Sequence, residues 1–277
     1  MKKMFYILLS ALMVFGCDGY VQTDDYEELI VEGHIEDGGY PVVTVTTSLL
    51  SDQLPIHVDS LAPHIVRWAR VKVSDGEKEV FLTGMRSKKL FPPYIYTTSE
   101  IKGVAGKTYT LTVDYGNVHA SGSTTIPDSV PVEGIRLEKE GETTKAFVQF
   151  TDPQEQKNWY RLFVKVEKRD STWMPSLFGL SDDSSFDGAS EMQLRRGFGN
   201  NLADYLSDFK DGETLNIKLA TCTETMYEYW KTFDNNMFYG RTPFFPAKES
   251  ARGNLEGFAV HGYWTGYGIG TKTITIQ

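Results

Sequence analysis

From Leu29 onward the chain is written in period two. Leu29-Ile-Val-Glu-Gly-His-Ile, Pro41-Val-Val-Thr-Val-Thr-Thr, Arg70-Val-Lys-Val-Ser and Tyr109-Thr-Leu-Thr-Val all alternate. Successive side chains of an extended strand point to opposite faces, so each run presents one apolar face that must be covered. Turn signals fall between the runs at Asp37-Gly38-Gly39, Asp75-Gly76 and Tyr115-Gly116, and short strands punctuated in this way form hairpins. The pattern predicts a mainly β chain. Residues 28–126 have room for about seven short strands, folded as a sheet-on-sheet sandwich around one interior.

Thr125-Ile-Pro127-Asp-Ser-Val-Pro131-Val holds two prolines that cannot donate to a ladder, which marks residues 127–133 as a linker. Residues 134–277 then read as a second β-rich domain. Gly134-Ile-Arg-Leu-Glu, Lys145-Ala-Phe-Val-Gln-Phe and Gly212-Glu-Thr-Leu-Asn-Ile-Lys-Leu-Ala are strands, and so is the run from Trp159 in which Tyr160, Leu162, Val164 and Val166 alternate with other residues. The stretch from Ser171 to about Asp211 reads as an acidic loop, and Thr271–Gln277 as a closing strand. One segment departs from the β pattern. Met226, Trp230, Phe233 and Met237 are spaced as a single helical stripe, which predicts a helix near 223–239 that packs on a sheet, with Thr225 and Glu228 as its capping box.

The N-terminus fixes an address. Lys2 and Lys3 precede an apolar run from Phe5 to Phe15, which is shorter than the roughly 20 residues that span a bilayer. The run has the build of a secretory signal. Val14-Phe15-Gly16-Cys17 reads as a lipobox, so residues 1–16 are the signal peptide and Cys17 carries the lipid, palmitate included. Residues 17–27 form an acidic tether. The formal net charge is −9, and loss of the two lysines makes the mature chain more acidic still. That balance excludes nucleic-acid partners and electrostatic adhesion to anionic membranes. With Cys17 acylated, Cys222 has no disulfide partner and reads as a buried apolar residue.

Several segments together resemble an uncharacterised domain-of-unknown-function family of Bacteroidetes outer-membrane lipoproteins, often encoded beside TonB-dependent receptors. They are Leu29-Ile-Val-Glu-Gly33, Arg70-Val-Lys-Val-Ser-Asp75-Gly76, Gly106-Lys-Thr-Tyr109-Thr-Leu111-Thr-Val113, Thr125-Ile-Pro127 and Ser207-Asp208-Phe-Lys-Asp-Gly212. Tyr229-Trp230, Pro243-Phe-Phe-Pro246 and Asn254 extend the likeness. The first half is also similar to the prealbumin-type, carboxypeptidase-regulatory-like module. The fold expected is thus an Ig/prealbumin-like sandwich followed by a β-rich domain with one prominent helix. The resemblance implies an outer-membrane lipoprotein, at the cell surface or else on the periplasmic face, with a TonB-dependent transporter as partner. It supplies no catalytic residues.

For chemistry, the five histidines (His34, His57, His64, His119, His261) sit in no nucleophile motif, and no G-x-S-x-G occurs. The chain is read as non-enzymatic, and no cofactor is implied. His57, Asp59 and His64 lie close in sequence but on a proline-flanked loop, too few and too loosely held for zinc. Asp183, Ser185 and Asp187 before Gly188 match the front of a calcium loop, although Leu194 stands where its bidentate glutamate belongs. Tyr263, Trp264 and Tyr267, set among glycines, are the candidate ligand-binding aromatics, since such rings suit sugars and protein partners. Phe91-Pro-Pro-Tyr94-Ile-Tyr96 is a second cluster. The function expected is an accessory to a TonB-dependent transporter or its ligand capture. The alternatives are a stand-alone glycan- or peptide-binding lipoprotein and a pilus-like subunit.

Overall fold

The computed structural model describes residues 28–48, 62–90, 92–154, 156–185, 188–196, 208–239 and 251–277. The signal peptide, Cys17, the tether, His57, Asp59 and Asp187 lie outside the described residues. The first half contributes β1 (Leu29–Glu36), β2 (Val42–Thr47), β3 (Arg70–Ser74), β4 (Glu79–Phe81), β5 (Thr83–Arg86), β6 (Tyr94–Thr97), β7 (Thr108–Tyr115) and β8 (Val118–Thr125). The second contributes β9 (Gly134–Glu140), β10 (Thr143–Thr151), β11 (Trp159–Val166), β12 (Met174–Asp182), β13 (Ala189–Leu194), β14 (Phe209–Lys210), β15 (Thr214–Cys222), α1 (Glu224–Tyr239) and β16 (Val260–Thr275).

Eight of these strands form one central sheet in the order β12-β11-β15-β16-β1-β2-β6-β5. The sheet β4-β3-β7-β8 covers one half of it, and β13-β10-β14 with β9 beside β10 covers the other. The sheet-on-sheet expectation therefore holds twice over. Val31, Ile35, Val43 and Val45 meet Val71, Val73, Leu111 and Val113 in the first interior. Tyr160, Leu162, Val164, Leu215, Ile217 and Leu219 meet Ala146, Val148 and Phe150 in the second. Among the described residues α1 is the one long helix, and it packs on the opposite face of the central sheet through Met226, Tyr229 and Trp230. Among the described residues the chain is mainly β, with several sheets and no barrel.

One strand belongs to both sandwiches. β16 pairs in parallel with β1 from Leu29↔Val260 to Glu36↔Tyr267, then antiparallel with β15 from Thr221↔Gly268 to Thr214↔Thr275. Its Trp264 lies in the first interior. Residues 260–267, assigned from sequence to the second domain, thus complete the first. The expected linker is a packed element as well, since Ile126, Val130 and Val132 are buried. The reason lies in β16, where Gly266, Gly268 and Gly270 share one face of the strand. A Cβ on Gly268 would stand 2.5 Å from the Pro127 carbonyl oxygen, and one on Gly270 would stand 2.1 Å from that of Val130. The linker backbone lies in the groove that these missing side chains leave.

Two further expectations change. The acidic stretch 171–211 is not all loop, for it contains β12, β13 and β14. β12 hides its alternation because it holds Pro175 and a register shift opposite Arg161 and Phe163, around Phe178 with its φ of 55°. It is an edge strand, where proline and bulges are tolerated. The helix starts where predicted but is capped by Thr223, whose Oγ1 accepts the N–H of Met226 at 3.4 Å. Thr225 and Glu228 therefore lie inside the helix and form no capping box.

Gly270→Val forces the Val130 backbone out of its groove and is expected to cost about 1–3 kcal/mol, the usual range for overpacking. Urea unfolding followed by tryptophan fluorescence would show it as a lower midpoint. An unchanged midpoint would mean that the linker does not depend on the glycine face.

Candidate functional site

The three candidate aromatics do not form a surface. Residues 263 and 267 share one face of β16 and 264 has the other, because the strand alternates. Trp264 is 1% exposed, and its indole Nε1–H donates to the Tyr109 carbonyl at 2.9 Å. Its backbone is gripped by Asn254, whose Oδ1 accepts the Trp264 N–H at 2.9 Å and whose Nδ2 donates to the Trp264 carbonyl at 2.8 Å. Tyr267, 5% exposed, accepts the Trp230 Nε1–H at 3.0 Å, and Tyr263 packs against Tyr229 with centroids 4.8 Å apart. All three hold the fold together. Within the second cluster, Tyr94 and Tyr96 stack edge to face, and the Tyr96 hydroxyl donates to the Val66 carbonyl at 2.9 Å.

The calcium candidate is divided. Asp183 and Ser185 lie in a short 3-10 turn, and Asp183 Oδ2 accepts the Asn158 N–H at 3.0 Å, so this carboxylate pins the turn before β11. Glu191 is committed to Arg136 on β9 at 2.5 and 2.8 Å. Of the histidines, His64 Nδ1 bonds Thr47 Oγ1 at 3.0 Å, His119 pairs with Asp114 at 2.7 Å and His261 with Glu28 at 3.3 Å. Among the described residues no three metal-type side chains converge.

What does converge lies on the helix-side face of the central sheet. β1 sends Leu29, Val31 and Ile35 into the first interior and turns Glu32, His34 and Glu36 to the other side. Beside them in register stand Tyr263, Thr265 and Tyr267 of β16. Beyond, Lys218 of β15 bonds Glu36 Oε1 at 2.5 Å and lies 4.6 Å from the Trp173 ring centroid. Arg161 of β11 is fully buried, forks onto Asp234 of α1 at 2.5 and 3.1 Å, and stacks on Trp230 at 4.6 Å. A buried arginine is tolerable only when so paired.

Electrostatics divides this row. Burial raises the Glu32 carboxyl above its ordinary 4.5; the Glu32 backbone carbonyl accepts the Thr44 hydroxyl at 3.3 Å, whereas its carboxyl makes no ion pair among the described residues. Burial lowers His34 below 6.5; Glu36 opposes that shift and Lys218 adds to it, both less strongly. Burial first, and Glu32 second, keep the Tyr263 phenol protonated. The face therefore offers a neutral imidazole, a carboxyl biased toward its acid form and one ion pair, a set suited to recognition by hydrogen bonds. Cys222 lies beneath α1, where burial pushes its thiol up to about 12, so it is no nucleophile at neutral pH.

The residues that sequence reasoning passed over are Glu32, His34 and Glu36. Their signal was present in Leu29-Ile-Val-Glu-Gly-His-Ile-Glu, an alternation with charge on the second face, but that face reads as solvent until a helix is known to lie over the same sheet.

The family described as Domain of unknown function (DUF4249) matches residues 20–273. The chain belongs to this family. No curated protein matches this DUF4249 chain. Among solved structures it is similar to a chain of a cytokine receptor complex, with 6% identity over 88% of this chain and 95% of that one, at a TM-score of 0.24. It is also similar to a putative carbohydrate binding protein from Bacteroides uniformis, with 11% identity over 90% and 99% of the two chains, at a TM-score of 0.24. A third likeness is to a DUF4785 family protein from Legionella pneumophila, with 14% identity over 69% and 51%, at 0.22. Scores this low carry nothing further for the DUF4249 chain.

The two shifted groups act on stability with opposite signs. Below pH 6.5 the unfolded chain protonates its counterpart of His34 before the folded chain does, so stability falls as pH drops from 6.5 through the lowered folded value. Glu32 contributes most below pH 4.5, and that contribution is lost as pH rises through its raised folded value. Glu32→Gln is therefore expected to raise the urea midpoint at pH 8, with a gain that shrinks toward pH 4.5. A gain that does not change with pH would show that Glu32 is solvated when folded.

Proposed function

We propose that this DUF4249 protein is a non-enzymatic, lipid-anchored protein of the outer membrane that serves a TonB-dependent transporter by holding or presenting its ligand. The proposal takes the family as one of Bacteroidetes surface lipoproteins and the first sandwich as a prealbumin-type module. The signal-peptide pattern and Cys17 supply the address, and the acidic tether lets the folded part stand off the bilayer. The observation that carries the ligand-holding role is the row Glu32, His34 and Glu36, fixed on a central strand between β16 and β2. Rigid, partly neutral polar groups on a strand recognise a ligand without reorganisation. Support for binding over chemistry comes from the buried, protonated Cys222 thiol and from the engagement of His64 and His119 in structural pairs.

Full-length tagged protein, solubilised gently from its own membrane and identified by mass spectrometry, is expected to recover a TonB-dependent receptor. Metabolic labelling with palmitate is expected to be lost in Cys17→Ser. Repeated recovery of the lipoprotein alone would end the partnership, and labelling that survives Cys17→Ser would end the anchor.

A further inference from the structure

The chain enters the fold at Glu28, and the end of the first sandwich where it enters carries two strongly exposed rings. Leu29 at the start of β1 pairs with Thr47 at the end of β2, and its N–H donates to the Ala259 carbonyl at 2.8 Å. Phe258, next to that contact, is 79% exposed. In the facing sheet Arg70 at the start of β3 pairs with Asp114 near the end of β7. Trp68, two residues before Arg70, is 87% exposed, and Tyr115 at the end of β7 is exposed too.

Two contacts bring these segments to one end. The Val66 N–H donates to the Val45 carbonyl at 3.0 Å, which carries the chain from the end of β2 to the start of β3. Gly257 lies so close to β8 that a Cβ on it would stand 2.3 Å from the His119 carbonyl oxygen. β3, β7 and β8 are neighbours, and with strands roughly 4.8 Å apart the starts of β3 and β8 are separated by about 10 Å. Trp68 and Phe258 therefore belong to one apolar end.

We propose that this end of the first sandwich seats on the surface of a phospholipid bilayer, with Trp68 and Phe258 entering the interfacial layer. The occupant follows from where the tether joins the fold. Residues 17–27 reach at most roughly 40 Å when fully extended, and they meet the fold at Glu28. The opposite end of β1 lies about 25 Å farther along the strand. A tether that lets the folded part stand off the bilayer also lets it settle, and the Glu28 end touches first. Tryptophan and tyrosine suit the membrane interface, where one side of the ring is apolar and the other wet. Arg67 and Arg70 flank Trp68, and both are exposed; a guanidinium matches the geometry of a lipid phosphate. Of the carboxylates at this end, Glu28 lies 3.3 Å from His261 and Asp114 lies 2.7 Å from His119. The net charge of −9 opposes adhesion to anionic lipid, so the contact is apolar and suits a zwitterionic surface. The proposal rests on the Cys17 anchor of the reading above and needs neither transporter nor ligand.

The test reconstitutes the full lipidated protein into phosphatidylcholine vesicles whose acyl chains are brominated, floats the vesicles on a density gradient and measures tryptophan quenching. Trp230 and Trp264 are buried and Trp159 and Trp173 partly so, which makes Trp68 the reporter. Emission from floating protein is expected to be quenched, and Trp68→Phe to remove most of that quenching. Phe258→Ser keeps the reporter and is expected to weaken quenching roughly two- to fivefold, because interfacial binding scales with the apolar area buried. Both residues are exposed, so neither change is expected to move the melting temperature by more than a degree or two. Floating protein with unquenched emission overturns the docking alone and leaves these rings to a second copy or another protein. Quenching that persists in Trp68→Phe, or that ignores Phe258→Ser, overturns it as well. Protein that fails to float overturns the anchor and the docking together.

Discussion

β16 is hydrogen-bonded to the N-terminal strand along its first half and to β15 along its second, so a single run of backbone serves as a central strand in both sandwiches. Three layers of contact depend on it. Trp264 points into the first interior, Tyr263 and Tyr267 support α1 on the other face, and the glycine row beyond receives the linker backbone. A Cβ at Gly268 or Gly270 would collide with carbonyl oxygens, so the two halves are joined by close backbone approach that side chains would prevent.

The strands that alternate strongly were legible, because period two survives in any strand with one buried face. α1 was legible through its stripe, and its cap lay two residues earlier because Thr223 stands where the strand ends. Less visible was anything that depends on pairing between distant segments. Leu29–Glu36 and Val260–Tyr267 carry no mark of their parallel partnership. Two prolines made 127–133 look like a boundary, yet proline forbids only donation to a ladder and says nothing against burial across glycines. Tyr263, Trp264 and Tyr267 invited reading as a group because they are neighbours in the chain, whereas a strand sends neighbours to opposite faces. Pro175 and the bulge at Phe178 erased the alternation of β12.

The helix-side face of the central sheet combines two demands. It must bury aromatic rings under α1, and it must accommodate Glu32, His34, Glu36, Lys218 and Arg161 in the same layer. The ion pairs Lys218–Glu36 and Arg161–Asp234 neutralise four of the charges that burial would otherwise penalise. Among the described residues Glu32 and His34 have no such partner, and burial shifts both toward their neutral forms. The result is a polar layer with little net charge inside an acidic protein.

The position of β16 after every strand with which it pairs also sets an order of events. Until Val260–Tyr267 has been synthesised, the first sandwich lacks both the second neighbour of β1 and the indole that fills its interior, although every other strand it needs was made much earlier. Its closure must wait for contacts of very large sequence separation, which slows folding. A fold built this way closes both halves in one late event, once the strand they share is in place.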